Sequence, residues 1–184
     1  MHARIPYLEA VIEETMRCSH IVPAVLRETT TDALVLGRRI PKNTHLWFFS
    51  SAQSFLRPAF DIKEDLRTES SRQAKERWGA WDPEGIDRFI PERWIRKEKS
   101  QEGGEILEKE VFDPHSGPQL AFGAGPRACF GQKLSYMEMR IVVTMLIWSF
   151  EFMSLGENLN NLKAVDVFML RPKACYVKLK QLYF

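Results

Sequence analysis

The chain has 184 residues, 45% of them apolar and 27% charged, a composition that suits one globular domain and is too apolar for a disordered chain. Its 26 Lys and Arg nearly cancel 24 Asp and Glu, leaving a net charge of +2, so there is no broad positive field to grip nucleic acid or anionic lipid. The three cysteines, Cys18, Cys129 and Cys175, are odd in number and far apart, unlike a secreted disulfide framework, and point to a reducing compartment. No secretory or mitochondrial leader pattern opens the chain, and its longest apolar run, residues 141–150, is well short of the roughly 20 residues a membrane span needs.

Leu8, Val11, Ile12 and Met16 recur at helical spacing behind Pro6, which predicts a helix over residues 7–17 that stops before Pro23. Between Arg27 and Phe49 the pattern changes to short extended runs at 29–31, 34–36 and 46–49, broken by Gly37 and by Pro41-Lys42-Asn43. They predict a small antiparallel sheet. Residues 61–77 and 96–110 are crowded with charged side chains and read as solvated loops or exposed helices. Between them Trp78, Trp81, Phe89 and Trp94 are expected to pack on a core. A loop rich in Gly and Pro over residues 114–131 leads into a helix over 132–150. The apolar residues of that helix, Leu134, Met137, Ile141, Val142, Met145, Leu146 and Trp148, cover more than one stripe, so it should be buried on most sides. Two extended runs at 165–170 and 174–179, joined at Arg171-Pro172-Lys173, read as a C-terminal hairpin, and there is no internal repeat.

The segment richest in chemistry is Phe122-Gly-Ala-Gly125-Pro-Arg127-Ala-Cys129-Phe-Gly131, where a cysteine closes a glycine-rich loop and opens an apolar helix. The unpaired N–H groups and positive dipole end of a helix start favour thiolate over thiol. Gly125 and Gly131 allow backbone angles and close approaches that side chains forbid, as cupping a flat ligand around the sulfur requires. Arg127 can pair with an anionic group at the ligand's rim. The alternative is a buried structural cysteine beside a turn, the usual fate of a lone Cys. Cys18 and His20 lie too close together, with no second pair at finger spacing, for structural zinc.

This segment resembles the haem-binding loop of the haem-thiolate monooxygenases, the cytochrome P450 family, and meets the pattern Phe-x-x-Gly-x-Arg-x-Cys-x-Gly at every fixed position. A chance match in a chain of this length has a probability of roughly 10⁻⁵ to 10⁻⁴. Two further marks accompany it. Glu-x-x-Arg occurs at Glu14 and Arg17 and also at Glu64 with Arg67 and Glu69 with Arg72, but only the first lies in an apolar helix, where residues three apart share a face. Pro91-Glu92-Arg93-Trp94 is similar to the family's Pro-Glu-Arg-Phe, with Trp in place of Phe.

The resemblance implies a mainly α fold with small antiparallel β-sheets, the C-terminal part of the cytochrome P450 fold, as a single partial domain. Its parts would be the triad helix and sheet (1–60), a charged insertion (61–88), the meander and haem loop (89–131), and a buried helix with the C-terminal hairpin (132–184). Cys129 would be the axial ligand to the iron of haem b (iron protoporphyrin IX). Arg127 would pair with a propionate, Phe122 would pack near the sulfur, and Glu14, Arg17 and Arg93 would form a buried triad, the alternative being an exposed ion pair worth about 0 to 1 kcal/mol. One carboxylate cannot neutralise two guanidinium groups, so backbone carbonyls must take the remaining donors. Arg27 sits where many members place a second propionate-binding arginine; a surface strand arginine is the alternative. Residues 22–25 and 164–167 correspond to pocket-lining stretches, although core packing also explains their apolar character. His2, His20, His45 and His115 receive no role.

By the same resemblance the function is a monooxygenase inserting one oxygen atom of O2 into a small apolar organic substrate, with NADPH electrons arriving through a partner reductase. Arg127 and Lys133 would belong to the basic docking face. The alternatives are a non-catalytic haem-binding module, or an inactive truncated fragment that serves only in interactions. Similarity covers the family's C-terminal part only. The membrane anchor, most of the pocket and the distal proton-delivery helix have no counterpart here, so a truncated member or an incomplete gene model is expected. A full-length member would sit on the endoplasmic reticulum membrane through that N-terminal anchor, whereas the isolated chain should bind haem weakly, expose an apolar patch and not turn over. The long charged stretch before Arg93 resembles filamentous-fungal members.

Overall fold

The computed structural model describes residues 5–19, 21–49, 55–102, 105–159, 163–166 and 169–182. It divides into two compact units, residues 1–121 and 122–184.

The first unit begins with α1 (Pro6–Ser19). Pro6 opens it, where the missing N–H has no helical partner to lose, and its inner face carries Glu9, Ala10, Ile12, Glu14, Met16 and Arg17. Strand β1 (Ala24–Glu28) pairs antiparallel with β4 (His45–Phe49), setting Arg27 opposite Leu46. Strands β2 (Ala33–Val35) and β3 (Arg38–Ile40) form a separate hairpin. Its turn uses positive φ at Leu36 (48°) and Gly37 (76°), the twist that matches two antiparallel strands. Residues 29–31, expected to be extended, are not a strand. The Thr29 hydroxyl donates to the Pro41 carbonyl (2.6 Å) and accepts from the Thr44 N–H (2.9 Å), a local bond that competes with a ladder, and pairing starts earlier, just after Pro23.

The charged stretch that follows contains a 3₁₀ turn (Glu64–Leu66) and the exposed helix α2 (Glu69–Trp78), whose start is capped by the Thr68 side chain accepting from the Ser71 N–H. The second charged run is neither loop nor helix. It forms a long hairpin of β5 (Ile95–Glu102) and β6 (Glu105–Phe112). Its register sets Lys97 opposite Glu110, Glu98 opposite Lys109 and Lys99 opposite Glu108, so opposite charges face each other across the strands and the run supports a sheet instead of resisting one. The core of this unit is Ala10, Trp81, Ile86 and Trp94, with Ile95 and Phe112 packed against it.

The second unit holds a 3₁₀ turn (Gly125–Arg127) followed by α3 (Gln132–Ser149). Strand β7 (Phe150–Met153) leaves the helix directly, and β8 (Ala164–Asp166), β9 (Leu170–Pro172) and β10 (Lys178–Gln181) follow. The tail is not the expected hairpin. Arg171 and Pro172 belong to strand β9, paired with β8, while β10 pairs with β7. The reason lies next to the helix: the extended Phe150-Glu-Phe-Met run gives β10 a partner, and Lys180 reaches Glu151 across it at 3.1 Å. Pro172, lacking an N–H, falls at a strand end, where a ladder tolerates it. Helix α3 also departs from expectation, because none of its residues is buried. Met145 and Trp148 are 63% and 68% exposed; within the unit its principal packed neighbour is β7, which continues from its own C-terminus.

Candidate functional site

Glu14 and Arg17, three residues apart on α1, are fully buried, and their carboxylate and guanidinium meet in a two-point pair. Arg17 Nε donates to Glu14 Oε2 at 2.8 Å and Nη2 to Oε1 at 2.7 Å. The other Arg17 donors go to backbone: Nη1 to the carbonyls of Phe55 and Ile86 (2.8 Å for Ile86), and Nη2 to that of Arg88 (2.9 Å). The short 3₁₀ turn Pro91–Trp94 brings two more donors to Glu14. Arg93 Nε reaches Oε1 at 3.1 Å, and the Trp94 indole Nε1–H donates to Oε2 at 3.0 Å. The Ile90 N–H adds a third at 2.8 Å, and Arg93 Nη2 donates to the Gly85 carbonyl at 3.0 Å. Five carbonyl and carboxylate acceptors thus absorb what a single negative charge could not.

Electrostatics follow from this packing. Burial works to raise the Glu14 carboxyl, but the hydrogen bonds from Arg17, Ile90 and Trp94, with the charge of Arg17, outweigh it and hold the group below the ordinary carboxylate range. Burial pushes the neighbouring Cys18 thiol up, with Arg17 pulling it back in part. Cys18 lies within 3.5 Å of Arg17 Nη2.

The second group of expected residues lies in the other unit. The Cys129 N–H donates to the Phe122 carbonyl at 2.8 Å, closing residues 122–129 into a loop. The Phe122 ring lies 5.3 Å from that of Tyr136 on α3, which fixes the loop's first residue against the helix that its last residue precedes. The side chain of Cys129 is exposed, as is Arg127 in the turn Gly125–Arg127. Gly125 has φ 68° with open space where a Cβ would stand, and Gly123 has φ 70°. Gly131 is a correction: its φ of −79° is open to any residue. The second unusual backbone angle belongs to Gly123 instead. A Cβ on Gly131 would stand 3.8 Å from Cys129 Sγ.

Arg27 lies exposed on β1, with Nη1 donating to the carbonyl of Leu26 (2.8 Å). Val22 is 41% exposed, and Ala164 and Val165 lie on β8; Val167, His2 and His20 fall outside the described residues. His45 lies 3.5 Å from Glu28 across the β1–β4 pair, and His115 stacks on Trp78 at 4.7 Å.

A sequence model of the family described as cytochrome P450 matches residues 1–54 and 82–179, and the chain belongs to that family. It is 38% identical to the Hps1-dma1 cluster cytochrome P450 monooxygenase cyp3.1 of Dothistroma septosporum, with 96% of this chain and 57% of that protein covered. It is 37% identical to the cytochrome P450 monooxygenase TRI13 of Fusarium sporotrichioides, with 96% and 31% covered. The chain therefore spans between about a third and somewhat over half of the length of these fungal relatives. Among solved structures it is similar to a retinoic acid-bound cyanobacterial CYP120A1, at a TM-score of 0.63 and 27% identity over 96% of this chain and 33% of that one. It also shares the fold of the cytochrome P450 CYP102L1, at a TM-score of 0.65 and 22% identity over 97% and 32%. The three helices and small antiparallel sheets are part of the P450 fold. Among the described residues, no helix is long and apolar enough to cross a membrane.

Motif spacing did not single out Gly117 or the carbonyl of Phe55, which pack on or near the Glu14 cluster, and Trp81 was expected only to pack on a core. A further signal was the tryptophan at position 94 where the motif has phenylalanine, since a buried indole N–H usually finds an acceptor.

Proposed function

We propose that this chain is the proximal part of a haem-thiolate monooxygenase, in which the Cys129 thiolate would hold the iron of haem b. The observation that carries the reading is the loop 122–129. An exposed cysteine stands at its end, the loop is closed by the Cys129 N–H on the Phe122 carbonyl, and open space lies where a Cβ on residue 125 would stand. That donor set fits the group: a soft thiolate for iron, an exposed guanidinium on Arg127 for a propionate, and no side chain at Gly125 to obstruct a flat macrocycle. When bound there, haem supplies dioxygen activation, and thiolate ligation favours O–O cleavage.

The chain's own residues hold and orient. Phe122, braced by Tyr136, sets the loop's first residue. Arg127 pairs with carboxylate, and Arg27 on β1 is a second candidate for that task. Glu14, Arg17 and Arg93 act as a scaffold lock, because their charges are spent on one another and on backbone carbonyls. By the family resemblance the apolar stretch 22–25 of the first unit and the stretch 164–167 of the second are each assigned to substrate contact, for a small apolar substrate. The reaction would insert one oxygen atom of O2 into that substrate and release the other as water, with the two electrons coming from NADPH through a partner reductase that would meet the basic side chains of Arg127 and Lys133. A full-length form works at the endoplasmic reticulum membrane.

The exposed apolar surface of α3 (Leu134, Met137, Ile141, Val142, Met145) supports a second clause: the 184-residue chain alone binds haem weakly, aggregates and does not turn over. Hemin titration followed by the ferrous carbon-monoxide spectrum tests both. A strongly red-shifted Soret band that Cys129→Ser abolishes is the expected result. An ordinary band, or none at saturating hemin, overturns thiolate ligation, and tight stoichiometric binding with NADPH-driven turnover overturns the second clause.

A further inference from the structure

We infer that Trp81 is a positioning residue for the segment 117–121, carrying the placement of the Glu14–Arg17–Arg93 cluster into the stretch that precedes the cysteine loop in sequence. The geometry is independent of any ligand; its functional meaning rests on the reading of Cys129 as the haem ligand.

Trp81 lies in the 55–81 span that the family match leaves out, yet it is only 6% exposed, at the centre of the first unit. The Arg17 and Arg93 guanidinium carbons lie 5.6 and 5.3 Å from its ring centroid, within the range in which a ring's negative face attracts a cation. Trp94, which itself donates to Glu14, meets it edge to face at 4.8 Å and 69°. A core tryptophan could stop there. This one also donates its Nε1–H to the carbonyl of Pro118 at 3.0 Å. The preceding residue, Gly117, packs so closely on the indole that a Cβ there would lie 2.5 to 2.7 Å from three of its ring carbons, so glycine alone lets the main chain approach.

The same short segment has a second anchor. Gln119 Nε2 donates to the carbonyl of Glu13 on α1 (3.2 Å), and Gln119 Oε1 accepts from the N–H groups of Leu120 (3.0 Å) and Ala121 (3.1 Å). Residues 117–121 are thus held twice, by the indole that contacts Arg17 and Arg93 and by the helix that carries Glu14. Phe122 follows covalently. The placement of residues 117–121 is consequently set by Trp81 and Gln119.

Amide hydrogen exchange on the haem-free chain tests this with Trp81→Phe, which keeps an aromatic body and drops the N–H, and with Gly117→Ala. Both are expected to speed exchange at Leu120 and Ala121 by about tenfold, what loss of one hydrogen bond permits, with α1 unchanged near Arg17. Exchange at Leu120 and Ala121 that stays at the wild-type rate, or that rises uniformly through the unit, overturns the positioning role. In the ferrous carbon-monoxide spectrum the same variants should shift intensity from the red-shifted band to the ordinary one. If the wild-type chain shows no red-shifted band, the haem reading fails while the exchange result still stands for or against Trp81.

Discussion

The two units solve the burial problem in opposite ways. In residues 1–121 a charged pair, Glu14 with Arg17, is buried completely and Arg93 largely so, because Glu14 accepts from Arg17, Arg93, Trp94 and Ile90, and backbone carbonyls take the surplus donors. In residues 122–184 the most apolar helix, α3, buries none of its residues. Hydrophobicity alone therefore does not decide burial in this chain: a carboxylate goes inside when its hydrogen bonds are met, and an isoleucine stays outside when nothing in its unit covers it.

Substitutions should separate the units sharply. The largest effect is expected from Glu14→Ala, which strands the buried guanidinium of Arg17 and the largely buried one of Arg93 and should cost roughly 3 to 5 kcal/mol in urea unfolding; a loss no larger than that of a surface change would break the contrast. Trp94→Phe removes one donor to the same carboxylate and leaves the ring volume mostly filled. A loss of about 1.5 to 3 kcal/mol is expected for a hydrogen bond to a charged group, and an unchanged midpoint would show that the indole N–H is dispensable.

Acid should act in the same place. Because the folded state holds Glu14 below its ordinary value, its contribution is complete above the unfolded carboxylate range and is lost as pH falls through the lowered folded value. A urea midpoint that declines on acidification in the wild type, and declines less in Glu14→Gln, is the expected pair of curves; parallel curves would assign the acid sensitivity elsewhere. The smallest effect belongs to the other unit. Met145→Lys on the exposed face of α3 should change stability by no more than about 0.5 kcal/mol while reducing binding of an apolar dye, and a large destabilisation would mean that this face is covered in solution.

Much of this was legible in one dimension. The spacing of Leu8, Val11, Ile12 and Met16 located α1, and the run from Leu134 to Trp148 located α3, because a helix repeats its inner face within a few residues. The cysteine loop was legible for a different reason: its glycines, arginine and cysteine answer to one another over ten consecutive positions. The hairpin of β5 and β6 was harder, since its alternation is of charge sign across strands, and Lys99 finds Glu108 only once the register is known. The tail departs from the hairpin its sequence suggests because β10 looks to β7, across the intervening β8 and β9, for its partner.

Short-range pattern was enough for the helices, the loop around Cys129 and the choice of Glu14 with Arg17 over the other pairs at that spacing. Contacts across long stretches of chain were needed to show that Arg93 and Trp94 converge on Glu14, that Trp81 ties that cluster to Gly117 and Pro118, and that α3 stays uncovered. A partner some eighty positions away leaves no periodic trace along a chain, and burial is a property of the neighbours a residue meets as much as of the residue itself.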